Sequence, residues 1–473
     1  MDATYNASLG SSGLAEPFGL EHFGACDFND RRLTARAVKT ADAMLRHPGG
    51  TPPSKLAKAE LLGFYDFANN VKVSHDNVLA AHRQRTLERM GNATGVVLVI
   101  HDTTEADFSG LDIDDLGPIG NGLCRGLLLH NVLAYDLEKG EVIGLVGQLV
   151  HRRRKVPKGE GLKRKREHPQ RESLLWIKGS EAVGQVPPGR IWVNLNDRGG
   201  DTFENLEKQQ SLGQSFCVRS KSNRLVEVKD KAGRVIKRKL HHWARDLPTL
   251  AQQAVSVSAN RDQPAREAKV RIAAGAVGVL PPRQKRGAHG RRPLELWIVY
   301  VKELQAPAGV EPLEWFILTN VPTETKAQCA QRVGWYEKRP VIEEYHKAQK
   351  TGCGMELMQF TTRHALEVSI AMLSVVAVQL LRLRDLSRRP EAQTTPATEE
   401  VDAEYVEVLS LWRYQEHRPQ MTVWEFLRAL AKLGGHLNRA GDRPAGWLVL
   451  WRGWTNLQLL VDGARTVRRK RCG

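Results

Sequence analysis

The stretch WYEKRPVIEEYHKAQKTGCG, residues 335–354, holds four side chains whose types can act together on a phosphodiester: Tyr336, Arg339, Glu343 and Lys350. They lie at offsets of three, seven and fourteen residues from the first. On a regular helix these offsets point to roughly 0°, 300°, 340° and 320°, one side of the cylinder. The carboxylate can hold a divalent metal, the two cations can grip flanking phosphates, and the phenol can pack on or hydrogen-bond a nucleotide. The same residue types at the same spacing also dress ordinary solvated helices, so spacing alone leaves both readings open. Pro340 predicts that the regular helix begins near it. Tyr336 and Arg339 then fall in its first turn or on a kinked preceding segment, with Glu343 and Lys350 still on one face.

Other carboxylates end apolar runs. From Gly95 the sequence VVLVI leads into His101-Asp102-Thr103-Thr104, a buried strand ending on an acid. Such an acid needs a partner, which a metal supplies, or else it opens a turn. IWVNLND, residues 191–197, repeats the pattern and ends on Asp197, while Asp201 reads as a helix cap. Strands are expected over 126–136 and 141–151, a helix over 171–181 and a strand over 215–220. Three strands, helix, strand, helix, strand is the order of an α/β ribonuclease-H-like domain. Its first and fourth strands lie side by side, which makes Asp102 and Asp197 neighbours, with Glu343 arriving from a helix packed nearby. His130 reads as a packed core histidine. The loop Gly117–Gly122 fits neither glycine-rich phosphate-binding pattern, so a turn is expected and no nucleotide cofactor.

The elements around this centre are legible in outline. Helices are expected over 29–45, closed by His47-Pro48-Gly49-Gly50, then over 54–68 and 74–90. Arg31, Arg32, Arg36, Lys39, Lys55 and Lys58 line the first two, as in a unit that lays a helix in a groove or in a bundle with solvated charges. The run HRRRKVPKGEGLKRKRE (151–167) reads as a mobile basic surface segment, either a solvated loop or one that neutralises a nucleic-acid backbone. Residues 223–312 read as a β-leaning insertion, with a hairpin around Lys231, a strand in LELWIVYVKEL and a flexible basic loop over 281–293. A long buried helix is expected over 364–386, a linker over 387–400, and a helical segment with several tryptophans to the end. The tail 465–471 reads as solvated.

Lys and Arg total 70 against 53 Asp and Glu, a formal charge of +17 that favours a polyanionic partner. The start, MDATYNASLGSSGLAEPFGL, lacks the basic and apolar parts of a secretion signal. The apolar run 369–381 is too short to span a bilayer. A cytoplasmic protein with no membrane partner is therefore expected. Cys26, Cys124, Cys217, Cys329, Cys353 and Cys472 form no C-x-x-C pair, which argues against zinc sites and a disulfide framework.

The wording Y-x2-R-x3-E-x6-K followed by T-G, with IEEYHKAQKTG inside it, resembles the signature of the IS-four family of bacterial DDE transposases, and the likeness runs along nearly the whole chain. Phe64-Tyr65-Asp66-Phe67 is similar to that family's first-domain wording. The resemblance implies a helical transposon-end DNA-binding domain (1–75), a ribonuclease-H-like catalytic domain (76–390, insertion 223–312) and a C-terminal helical dimerisation domain (401–473). The family's D-R-x-x-D motif assigns metal binding to Asp197. Asp102, Asp197 and Glu343 become the catalytic residues and the ligands of Mg2+, for which Mn2+ substitutes. Tyr336, Arg339, Lys350, Arg219 and Lys221 become DNA contacts, and Trp315, just before Leu318–Pro322, takes the family's base-stacking place, whereas strand alternation alone reads it as core. The implied partners are double-stranded DNA, as inverted transposon ends and target, and a second subunit in a synaptic homodimer on the bacterial nucleoid. A structure-selective nuclease and an inactive DNA-binding relic or repressor remain the alternatives.

Overall fold

The structure, a computed structural model, describes residues 18–46, 49–230, 232–257, 265–282, 289–439, 441–442 and 444–471. The opening residues 1–17, the His47-Pro48 stop, Lys231 of the hairpin tip, residues 283–288 of the basic loop and Cys472 lie outside them.

Five helices come first: α1 (Phe18–Phe23), α2 (Arg31–Arg46), α3 (Pro52–Lys55), α4 (Lys58–Asn69) and α5 (His75–Asn92). The single helix expected over 54–68 is two, because the backbone turns extended at Leu56 and Ala57. Ser74 starts α5 by accepting the Asn77 N–H while the Asn77 side chain returns to the Ser74 N–H. Phe64 and Phe67 are fully buried, in one continuous apolar cluster with Phe360 and Leu366 from much later in the chain.

A mixed sheet follows, built on β1 (Val96–Asp107), β2 (Gly117–Ile119), β3 (Cys124–Asp136), β4 (Glu141–His151), β5 (Ile191–Asn196) and β6 (Ser215–Arg219). β1 pairs antiparallel with β3 and β3 with β4, whereas β5 runs parallel to β1 and β6 parallel to β5. β1 is longer than the apolar run suggests. Beyond Ile100 it stays paired to β3 out to Asp107, so Asp102 lies within the strand and not at its end. The ladder to β3 satisfies the backbone that polar side chains alone would have left in a turn. Between β4 and β6 come α6 (Leu162–Glu167), α7 (Leu174–Val183) and α8 (Phe203–Ser211).

The basic run 151–167 departs from the expected open segment. Arg152 pairs with Asp115 at 2.9 Å, Arg153 with Glu105 and Glu172 at 3.1 and 2.7 Å, and Arg154 with Glu160 at 2.5 Å. Three of its arginines thus have carboxylate partners within the chain, and Lys163, Arg164 and Lys165 stand exposed on α6.

The insertion extends the same sheet. Its elements are β7 (Leu225–Lys229), β8 (Val235–Lys239), α9 (Leu240–Asp246), β9 (Ala251–Val257), β10 (Arg266–Val279) and β11 (Leu294–Glu303), followed by β12 (Glu314–Thr319). β12 pairs antiparallel with β6, giving the continuous order β3-β1-β5-β6-β12-β11-β10-β7-β8.

α10 (Lys326–Tyr336), α11 (Val341–Lys347) and a π-helical turn (Ala348–Gly352) carry the Tyr336–Lys350 stretch, and α12 (Arg363–Leu386) runs beneath it. α12 is long and apolar enough to cross a membrane, but nearly all of it is buried within this protein.

The region 387–400 is not a free linker. It forms two 3-10 turns with Ala392 and Ala397 buried, Arg389 pairs with Glu141 and Glu400, and Pro396 bridges to Thr422. α13 (Ala403–Tyr414), α14 (Val423–Leu433) and α15 (Trp447–Arg471) complete the chain, with Trp447, Trp451 and Trp454 buried. The described side chains of the tail, 465–468, are exposed, as expected of a solvated segment. The tail continues α15, and Arg465 and Arg468 reach Glu404 and Glu407 on α13.

Candidate active site

The parallel pairing of β1 and β5 sets Ile100 opposite Leu195. Two residues further on, Asp102 and Asp197 reach the same level, at the point where β5 stops and β1 continues. Asp197 bends the chain there: its Oδ1 accepts the Gly199 N–H at 2.6 Å and opens the 3-10 turn Arg198–Gly200. A Cβ on Gly199 would stand 2.9 Å from that same oxygen and 2.8 Å from the Trp176 ring, so a side chain here would displace the carboxylate.

Arg339 joins the third carboxylate to the first. Its Nη2 donates to Asp102 Oδ2 at 2.8 Å and its Nη1 to Glu343 Oε1 at 2.7 Å. The Asp102 and Arg339 side chains are only 15% and 17% exposed, whereas Glu343 is 50% exposed, so the pair opens to solvent on the Glu343 side. Burial pushes the Asp102 carboxyl up to about 6; Arg339 opposes the rise, while Asp197 and Glu343 add to it. Asp102 thus senses both other carboxylates. The parallel strand pair sets Asp102 and Asp197 level, and Arg339, from the turn before α11, links Asp102 to Glu343 in the first turn of α11.

Among the described residues, no three acidic, histidine or cysteine side chains converge closely enough to hold a metal ion. Between Asp102 and Glu343 stands a different cation, the guanidinium of Arg339. The donor set itself is made of carboxylate oxygens, the type that hard divalent ions take. Asp102, Glu343 and the adjacent Asp197 therefore suit such an ion in chemistry, with Arg339 holding the place between two of them.

The aromatic pair lies against this centre. Tyr336 ends α10, is 5% exposed and meets Trp315 edge to face at 5.3 Å. Burial drives its phenol pKa well above the ordinary value; Arg339 and Arg219 pull it back and Asp197 adds to the rise. Trp315 is half-buried on β12, ahead of the four buried residues Phe316–Thr319. Arg219, at the end of β6, donates to the Glu314 carbonyl at 3.2 Å. Burial lowers its pKa, and Arg198 and Arg339 lower it further while Tyr336 and Asp197 raise it. Arg198, exposed beside Asp197 and not among the residues singled out in the sequence, therefore joins Arg219 and Arg339 in a cationic rim.

Lys221 and Lys350 stand further out. Lys221 is exposed just past β6, and its backbone N–H donates to Asp201 Oδ2 at 2.7 Å. Asp201 is therefore not the cap of α8, a place taken by Thr202. Its buried side chain pairs with Arg224 at 2.5 Å and ties down the loop after β6. Burial with only one cation beside it explains why Asp201 turns inward to the loop N–H groups. Lys350 shares no contact with the three carboxylates. The π turn breaks the helical period on which a common face depends, and Lys350 pairs instead with Glu356 at 3.2 Å. Glu356 also accepts the Asp107 N–H at 2.9 Å, so Lys350 lies along β1 beyond Asp102. His346 senses both cations of the motif: burial holds its pKa down to about 3, and Lys350 and then Arg339 press in the same direction.

What fixes the α11 stretch is a buried amide network. Gln349, fully enclosed in the π turn, donates to Tyr345 Oη at 3.1 Å and Ser374 Oγ at 3.0 Å, and accepts from Asn131 at 3.1 Å. Gln148 on β4 donates to Asn131 at 2.7 Å and to Ser374 at 2.9 Å. Sheet, α12 and the π turn are thereby locked together one residue from Lys350. No pattern marks these residues beyond their being amides and a serine inside otherwise apolar runs.

Mixed α/β architecture with basic helices at one end and clustered carboxylates ringed by arginines describes a protein that handles a polyanion. Residues 16–73 match the family described as Transposase DNA-binding. The chain thus carries a transposase DNA-binding domain near its N-terminus, and DNA is a partner through it. Arg31, Arg32, Lys39 and Lys58 are exposed within that span.

Proposed function

We propose that this chain is a cut-and-paste DNA transposase of the IS-four family, most like the transposase of transposon Tn-five. In this reading residues 1–75 bind the inverted transposon ends, residues 76–390 form a ribonuclease-H-like catalytic domain with its insertion at 223–312, and residues 401–473 pair two subunits. The observation that carries the catalytic part is the Asp102–Arg339–Glu343 chain of hydrogen bonds, with Asp197 at the same level on the neighbouring strand. The strand order β4-β3-β1-β5-β6 supports the same fold class.

Asp102, Asp197 and Glu343 would hold Mg2+, or Mn2+ in its place, which when bound activates water or a 3'-hydroxyl and stabilises in-line displacement at phosphorus. The chain's own groups supply the rest. Arg339, Arg219 and Lys350 grip phosphates on either side of the scissile bond, and Lys221 extends the grip past β6. Half-buried Trp315, backed edge to face by the buried Tyr336, offers a ring surface for a base expelled as the cut end folds into a hairpin. Pairing two ends before cutting keeps the element together, which gives the C-terminal helices their task. The setting is the nucleoid in the bacterial cytoplasm.

The test is to incubate the protein and Mg2+ with DNA carrying the element's inverted ends. Hairpinned ends that vanish in Asp102→Ala support transposition. Cutting indifferent to end sequence would replace it with a structure-selective nuclease, and binding without cutting would replace it with a DNA-binding relic or repressor.

A further inference from the structure

Two of the cations proposed to grip phosphate are already engaged with carboxylates inside the chain. Arg339 is held by Asp102 and Glu343 at 2.8 and 2.7 Å, and Lys350 by Glu356 at 3.2 Å. The Arg339 pair is the more consequential, since its two acceptors are two of the three carboxylates assigned to metal. A guanidinium bridging them and a divalent ion bridging them are alternatives, because both need the same oxygens and carry the same sign of charge.

We propose that Arg339 is a built-in counterion that fills the cation position between Asp102 and Glu343 in the DNA-free protein, and that a DNA phosphate draws it away, so that divalent-ion binding follows DNA binding. This rests on the transposase reading and adds an order of events to it. The arrangement is suited to the exchange. Arg339 lies in the turn between α10 and α11, not within a helix, so a short backbone movement can swing it. Its Nε has no hydrogen-bond partner, which leaves an edge of the guanidinium unsatisfied that a phosphate oxygen can complete. Glu343 is the half-exposed member of the set, so the release side faces solvent and incoming DNA. An unpaired DNA-cutting centre then stays without its ions until a substrate is present.

The experiment is Mn2+ binding followed by electron paramagnetic resonance, with no turnover. Four samples are compared: wild type, Arg339→Met, and each with uncleavable duplex DNA. Wild type without DNA is expected to bind Mn2+ at least tenfold more weakly than Arg339→Met without DNA. Adding DNA is expected to tighten wild type by a similar factor and to leave the variant nearly unchanged. Asp102→Asn combined with Arg339→Met is expected to lose the tight ion, which assigns it to this site. Equal Mn2+ affinity in wild type and Arg339→Met, lost in both with Asp102→Asn, overturns the counterion role and leaves the metal-dependent reading standing. No Mn2+ bound at Asp102 in any sample, with or without DNA, overturns both. Circular dichroism of Arg339→Met checks its fold, and Arg339→Lys, which keeps the charge, is expected to restore weak DNA-free binding.

Discussion

Asp102 is the innermost carboxylate of the proposed site, and its environment makes a prediction independent of catalysis. Its folded pKa of about 6 lies above the ordinary carboxylate value, chiefly through burial. Below pH 4 it is protonated in both folded and unfolded chains and contributes nothing. Between pH 4 and 6 the folded state alone keeps the proton, and above pH 6 the folded state carries a charge it tolerates poorly. Stability from this residue therefore falls as pH rises from 4 to 6 and stays reduced above. Asp102→Asn is accordingly expected to be more stable than wild type at pH 8, by about 2 kcal/mol, with the gap closing near pH 4.5. Urea unfolding at the two pH values measures it; a gap independent of pH would refute the assignment of the shift. The two aspartates were legible in the sequence because each follows a self-contained apolar run. The role of Asp201 was not, because its partner Arg224 and the N–H groups it accepts come from a loop twenty residues on, invisible to local capping rules.

At the scale of elements, the α11 segment is placed by buried amides more than by its own helix, which breaks into a π turn after Lys347. Gln349→Leu would strand Asn131 and Ser374 without their partners, at a cost of about 2 kcal/mol. Denaturant unfolding should show that loss, together with weaker cleavage of end DNA through displaced Lys350. Wild-type stability in Gln349→Leu would mean the network does not hold the turn. Pro340 announced the break before α11, whereas the π turn after it could not be read, since it depends on Ser374 and Asn131 reaching Gln349 from other elements. The same reason explains the misread linker: 387–400 is polar in composition, but Arg389 finds Glu141 and Glu400, and Ala392 and Ala397 find a core. β1 was read short because its polar half is held by pairing to β3, not by apolar content.

For the whole molecule, the charge of +17 and the N-terminal DNA-binding match point to association dominated by phosphate neutralisation. Binding to end DNA is expected to weaken about a thousandfold between 50 and 200 mM salt. Arg31→Glu with Lys39→Glu, both exposed, should flatten that dependence and weaken end binding at least tenfold without shifting thermal unfolding. An unchanged salt slope would place the contact surface elsewhere. The continuity of the sheet from β3 to β8 was hidden in the sequence, since no local pattern tells whether an insertion's strands join the parent sheet or pack apart.

In the proposed reaction Asp102, Asp197 and Glu343 share divalent ions at one phosphodiester. The most direct measurement replaces each in turn with cysteine and compares cleavage of end DNA in Mg2+ and in Mn2+, which accepts sulfur more readily. All three variants are expected to be inactive in Mg2+, with cleavage returning in Mn2+. Mg2+-supported cleavage that survives loss of any one of the three would contradict it.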